Sequence, residues 1–316
     1  MGKKTFLISL LLISSLATEL PEFYHKTDDM LNSLLSINCP NLEYLNTEHT
    51  HIFKLNSQAK CKSFLLFGEH ARELISPELG YNLISQICQG KSPALEFSQI
   101  ILVLNANPIS RRKVEEGSFC LRTNENDVDI NRNWGVYWDK TDCSPGSNTC
   151  SGPYPFSEPQ TTEIRKHLED FKPDLFISIH SGFSGIFIPW SYKFIRLDLD
   201  EEDKLLNVMK EMEKTSGVDA EYGTAEEILE YTATGSCMDY AYGVCDIPYA
   251  YAWEIYGTRD DSVSFLQDVN KKVKNHEHKE HDQCFPEFNP PTKSKYLETL
   301  DKWTKALEET MRLVCS

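Results

Sequence analysis

The chain has 316 residues, 40% hydrophobic and 25% charged, which is a globular composition and leaves no room for a multi-span membrane protein. Its formal net charge of −16 repels a phosphate backbone and excludes nucleic acid as a main partner. Length allows two domains at most, and the absence of a Gly/Ser linker, repeat or low-complexity block favours one.

The elements follow in chain order. Lys3 and Lys4 precede an apolar run from Thr5 to Ile13, and Ser15-Leu16-Ala17 offers small residues for cleavage. This pattern predicts a signal peptide over 1–17, too short to span about 30 Å of hydrocarbon. The expected location is therefore outside the cell or in the lumen of the secretory or endolysosomal pathway. Ten cysteines, with no close Cys-x-x-Cys pair, are then expected to form disulfides. No Asn-x-Ser/Thr acceptor occurs.

Short β-rich apolar runs predict strands at Phe64–Phe67, Ile100–Leu104, Leu175–Ile179, Gly185–Trp190 and Tyr249–Ile255. Helical periodicity falls between them, over Pro77–Cys88, Glu158–Phe171 and Asp203–Lys214. From Thr292, Tyr296, Leu300, Trp303, Leu307 and Met311 recur at the spacing of an amphipathic helix. Alternating strands and helices predict a single α/β domain: a mixed, mostly parallel β-sheet with helices on both faces. Two long irregular stretches, Trp138–Pro159 and Asp260–Pro291, interrupt the pattern; the second contains a His276, His278, His281 patch read as a solvated loop.

Four local patterns carry chemistry. His70 and Glu73 follow directly on the strand Phe64–Phe67, where both can turn to one point above the sheet edge. They supply two of the three protein ligands of a catalytic zinc. His180 ends a second strand and offers a third, at the carboxyl edge where open α/β sheets bind ligands. Glu254 lies in an apolar strand, where a carboxylate needs a partner or a task such as general base. Arg122, Asp129, Asn131 and Arg132 cluster in sequence, and guanidinium forks suit carboxylates and oxyanions. Taken one at a time, each has an ordinary alternative: a core histidine, a buried salt bridge, or surface charge.

Together, His70-Ala71-Arg72-Glu73, Asp129 to Trp134, Ser178-Ile179-His180-Ser181 and Trp253-Glu254 resemble, in order and rough spacing, the zinc carboxypeptidases of the carboxypeptidase A type. The resemblance implies one zinc held by His70, Glu73 and His180, with Glu254 as general base. It implies that Asp129 hydrogen-bonds His70 from behind and that Arg122 holds the oxyanion, with Arg111 and Arg112 as alternatives. Asn131 and Arg132 would grip the substrate's free carboxylate, and Tyr231 would close over it. Met238 would form the base of the side-chain pocket, favouring apolar or aromatic C-terminal residues. A register one residue later would bring in Asp239 and favour Lys or Arg. Cys120 and Cys150 match a disulfide of the pancreatic enzymes. The catalytic domain would occupy 18–316, with no propeptide domain.

The expected activity is thus a secreted metallocarboxypeptidase acting on peptide or protein C-termini, as a monomer without a membrane span. A related zinc amide hydrolase acting on a γ-linked or non-peptide substrate is one alternative. An inactive peptide-binding module of the same fold is another.

Overall fold

The computed structural model describes residues 19–45, 47–230, 232–257 and 284–316. The expected signal peptide, Tyr231 and the His276, His278, His281 patch lie outside these residues. Eight strands form one sheet: β1 (Leu42–Tyr44), β2 (His51–Leu55), β3 (Lys62–Phe67), β4 (Gln99–Asn105), β5 (Leu175–His180), β6 (Phe183–Phe187), β7 (Glu221–Gly223) and β8 (Tyr249–Tyr256). Their order is β1-β2-β4-β3-β5-β8-β6-β7. The centre, β4-β3-β5-β8, is parallel, whereas β1-β2, β2-β4 and β6-β8 are antiparallel.

The central strands read as continuous apolar runs because both of their faces are covered. Leu65, Phe67, Ile177, Ile179, Tyr251 and Trp253 face one core, packed by the helices Ile75–Cys88, Leu199–Ser216 and Lys293–Cys315. Phe64, Leu66, Phe176 and Ala250 face the other, packed by Pro159–Phe171 and Cys237–Gly243. Trp303 on the last helix lies 5.3 Å, centroid to centroid, from Trp253 on β8. This is the docking expected from the amphipathic spacing after Thr292, whose side chain accepts from the Lys295 amide as an N-cap.

The helix expected over Glu158–Phe171 is Pro159–Phe171, whereas Ile75–Cys88 and Leu199–Ser216 run longer than their apolar spacing suggested. Leu199–Ser216 begins four residues early because Asp198 caps the Glu201 amide and three acids fill its first turn. The strand expected over Gly185–Trp190 is instead Phe183–Phe187, and the edge strands β1 and β7 are only three residues long.

Four disulfides join Cys39–Cys88, Cys61–Cys315, Cys120–Cys284 and Cys143–Cys150. The expected Cys120–Cys150 bridge is therefore corrected. Cys150 has Cys143 seven residues away with a Cα–Cα distance of 4.6 Å. Cys120 instead meets Cys284 on the helix Cys284–Phe288, at 5.3 Å. Cys237 and Cys245 are free.

On β2, His51 is buried and its Nε2 has no hydrogen-bond partner. Burial, then the nearby Arg112 charge, pushes its pKa down to about 4 from 6.5. The neutral ring is thus favoured in the folded state. Its contribution to stability is complete above pH 6.5 and is lost as pH falls towards 4. Between pH 7.5 and 4.5 this loss amounts to about 2–3 kcal/mol. Guanidinium unfolding of the wild type and His51→Gln at both pH values should show a smaller acid loss in the variant. Equal losses would exclude His51 as the source.

Candidate active site

Three parallel strands deliver the site. Phe67 pairs in register with Ile179, and His180 with Glu254, so the carboxyl ends of β3, β5 and β8 lie side by side. The chain leaves β3 through Gly68 at φ +71°, where a Cβ would lie 2.9 Å from both Asn105 Oδ1 and Pro77. Only glycine allows that turn without displacement, and it swings His70 and Glu73 over the sheet edge.

His70 Nδ1 lies 2.7 Å from Glu73 Oε1. His180 Nδ1 lies 3.1 Å from both His70 Nδ1 and Glu73 Oε2. All three residues are almost fully buried. Behind them, Asp129 Oδ1 lies 3.1 Å from His70 Nε2. Glu69 Oε2 lies 3.2 Å from His180 Nε2. Carboxylates at both Nε2 atoms direct both Nδ1 lone pairs inward, towards the Glu73 carboxylate. Three acceptors facing one point repel one another unless protons or a metal cation lie between them. Their separations approach the ~3.3 Å edge of a zinc tetrahedron, and two imidazoles with one carboxylate are a zinc donor set. These residues fit the metal.

The electrostatics point the same way. Burial alone would raise the Glu73 pKa, but His70 and His180 outweigh it and hold it far below the usual carboxylate range. Asp129 is likewise held well below that range by Arg122, His70 and Arg132 against its burial. Glu254 behaves oppositely. Burial, then the Glu73 charge, pushes its pKa up to about 8, and its Oε2 is buried without a hydrogen-bond partner. A buried carboxylate oxygen without a partner beside three converging ligands is an acceptor held ready for a group from outside the chain.

Arg122 donates from Nε to Asp129 Oδ2 at 3.0 Å and brings Nη1 to 3.6 Å from Glu73 Oε1. Arg111 is committed elsewhere, to Glu115, the Leu74 carbonyl and the His25 carbonyl. Arg112 pairs with Asp28 near the surface. Of the three arginines, only Arg122 stands at the ligands.

Asn131 donates its amide to Asp129 Oδ1 and accepts from the Cys237 amide at Oδ1. Arg132 donates to the Asn131 carbonyl at 2.8 Å. Gly235, at φ +66°, packs against the Arg132 carbonyl, where a Cβ would come within 2.4 Å. These contacts bring the segment after Tyr231 against Asn131 and Arg132, although Tyr231 itself lies outside the described residues. Met238 is buried in the second core. Asp239 is buried as well, and accepts from the Ser191 amide and hydroxyl and from the Tyr192 amide. Burial pushes its pKa up to about 6 against those hydrogen bonds.

Sequence reasoning missed two features. Glu69 was visible only as the residue before His70; its contact with His180 depends on how β3 and β5 pair. The segment from Cys284 to Pro290 also braces the ligand loop. Asn289 accepts from the Ile75 amide and donates to the Arg72 carbonyl. Ser181 donates to the Phe288 carbonyl, and the Arg72 guanidinium lies 3.9 Å from the Phe288 ring centroid. No motif marks that segment.

The profile of the zinc carboxypeptidase family, peptidase M14, matches residues 45–281. Human carboxypeptidase A6 is 34% identical over 280 residues, covering 75% of this chain and 61% of its own length. Zinc carboxypeptidase A 1 of Drosophila melanogaster is 28% identical over 233 residues, covering 67% of this chain and 52% of its own length. The chain thus spans only about half to three fifths of these relatives. Bovine thrombin-activatable fibrinolysis inhibitor, solved with a tick carboxypeptidase inhibitor, superposes with a TM-score of 0.72 at 19% identity. That match covers 92% of this chain and 97% of the other, and shows a shared fold. With the profile matched over most of its length, the chain belongs to the zinc carboxypeptidase family.

Proposed function

We propose that this protein is a zinc-dependent carboxypeptidase that releases the C-terminal residue of peptides or proteins, with 18–316 as one catalytic domain behind a signal peptide at 1–17. The observation that carries the reading is the convergence of His70, Glu73 and His180 beside Glu254, whose buried Oε2 has no partner. His70, Glu73 and His180 would hold a zinc ion, which would make a water acidic enough to ionise near neutrality and would polarise a carbonyl.

The chain's own groups do the rest. Glu254 takes the proton of the attacking water at its carboxylate and returns it to the leaving amine. Arg122, oriented by Asp129, donates to the oxyanion that develops on the scissile carbonyl. Asn131 and Arg132 grip the terminal carboxylate, and Tyr231 closes over it. A charge-assisted hydrogen bond contributes roughly 1.5–3 kcal/mol, which an internal peptide bond cannot collect at this cluster. The pocket favours apolar or aromatic side chains at Met238. The hydrogen bonds that already engage Asp239 support this, because they leave that carboxylate committed to Ser191 and Tyr192.

A secretory destination is supported by four disulfides among the described residues. No helix among those residues is long and apolar enough to cross a membrane.

The test is release of the terminal residue from blocked dipeptides ending in Phe, Lys or Glu, with and without a zinc chelator. Chelator-sensitive release of Phe that returns on adding zinc is the expected result. Release of Lys instead would move the pocket to Asp239, and no release from zinc-loaded protein would reject the peptidase reading.

A further inference from the structure

We propose that Glu69 is a positioning residue for His180, acting directly and through Ser178 to aim Nδ1 at the metal and to set a full negative charge behind that imidazole. The inference rests on the zinc reading above and adds to it a residue with no part in that mechanism.

The geometry is a short relay. Ser178 and His180 are two apart on β5, so their side chains share one face. Ser178 Oγ lies 2.7 Å from His180 Nε2 and donates to Glu69 Oε2 at 2.6 Å. A hydroxyl can accept from the imidazole N–H and donate onward to the carboxylate at the same time. Glu69 Oε2 also lies 3.2 Å from His180 Nε2 itself and accepts from Cys237 Sγ at 3.3 Å. The residue comes from the loop after β3, one strand over, so the relay ties the two ligand-bearing strand ends together.

The burial is costly. Glu69 is only 2% exposed, and its Oε1 is buried with no partner. A carboxylate in that state destabilises the fold unless its charge is used. A cation shared through His180 uses it. Asp129 already stands in this relation to His70, at 3.1 Å from Nε2. With Glu69, both imidazoles have a carboxylate behind them, at 3.1 and 3.2 Å, and Ser178 bridges the second of these contacts. Such outer partners raise ligand basicity and fix the tautomer, and their loss typically weakens metal binding 10- to 100-fold.

The test measures zinc affinity, not turnover. Zinc is titrated into the metal-depleted full chain, and into Glu69→Gln, Ser178→Ala and the double variant, against a competing chelator. Thermal unfolding of each metal-depleted form is followed in parallel. Glu69→Gln should bind zinc roughly 10- to 100-fold more weakly. Ser178→Ala should weaken it less, because the direct Glu69–His180 contact remains, and the double variant should be no weaker than Glu69→Gln, because the Ser178 bridge acts only by way of the Glu69 charge. The unfolding midpoints of the metal-depleted forms should not fall below the wild type. Unchanged zinc affinity in the variants, with or without a fall in those midpoints, overturns the inference and leaves the peptidase reading standing. A wild type that binds zinc but releases no amino acid rejects the peptidase reading alone. Should Glu69→Gln fail to fold, Ser178→Ala decides: weakened zinc binding supports the relay, and unchanged binding overturns it.

Discussion

Glu254→Gln is expected to lower kcat/KM on a blocked dipeptide by about 10²- to 10⁴-fold while the protein keeps its zinc. The amide has nearly the shape of the carboxyl group but cannot accept the proton of an attacking water. The proposed ligands are His70, Glu73 and His180, whose ligand atoms converge, and Glu254 is paired with His180 across β5 and β8. Its pKa of about 8 in the metal-depleted chain comes from burial and from the Glu73 charge. A divalent cation at the ligands acts on it with the opposite sign and favours the carboxylate that a base needs. The substitution removes a buried ionisable group, so the metal-depleted variant should unfold no earlier than the wild type. Metal content by elemental analysis, thermal unfolding and steady-state kinetics on one preparation separate the possibilities. A variant retaining more than about a tenth of the activity with full zinc would exclude Glu254 as the base.

The strand ends explain how much of this was legible before folding. His70 and Glu73 follow an apolar run, His180 ends one and Glu254 lies near the end of another, and parallel strands bring the carboxyl ends of these runs to one edge. A run such as Leu175–Ile179 announces itself because both of its faces are buried. The edge strands β1 and β7 are three residues long and half exposed, and leave no such trace. Long-range pairings were opaque for another reason. Cys120 and Cys284 are 164 residues apart, and nothing local says that Cys150 is satisfied by Cys143. Asp129 could be placed behind His70 from the motif that contains it. Its second role, holding Arg122, appears only when the loops meet. Glu69 reads in sequence as one more acid in an acidic chain. It becomes a partner of His180 through the pairing of β3 with β5.

The two arginines should separate by kinetic signature. Arg122→Gln is expected to lower kcat by roughly 10²- to 10³-fold with KM little changed, as for loss of an oxyanion donor that acts mainly in the transition state. Arg132→Gln is expected to act mostly on KM. Loss of one charge-assisted hydrogen bond to the terminal carboxylate, roughly 1.5–3 kcal/mol, corresponds to about a 10- to 150-fold rise. The structural basis is their different anchoring. Arg122 is clamped by Asp129 through Nε and Nη2, which aims its third nitrogen towards Glu73 at the ligand cluster. Arg132 is tied to the Asn131 carbonyl, and Asn131 is tied to the Cys237 amide, on the side of the segment that follows Tyr231. One complication has a definite sign. Asp129 owes its low pKa first to Arg122, so Arg122→Gln also makes that acid easier to protonate and loosens its hold on His70. Zinc content must therefore accompany the kinetics. Full zinc with a lowered kcat assigns Arg122 to the oxyanion, whereas activity restored by excess zinc would make it a support for Asp129 alone. A blocked peptide with an amidated C-terminus should discriminate Arg132 in the same way: the wild type should lose most of its advantage over Arg132→Gln on that substrate, because the group Arg132 recognises is gone.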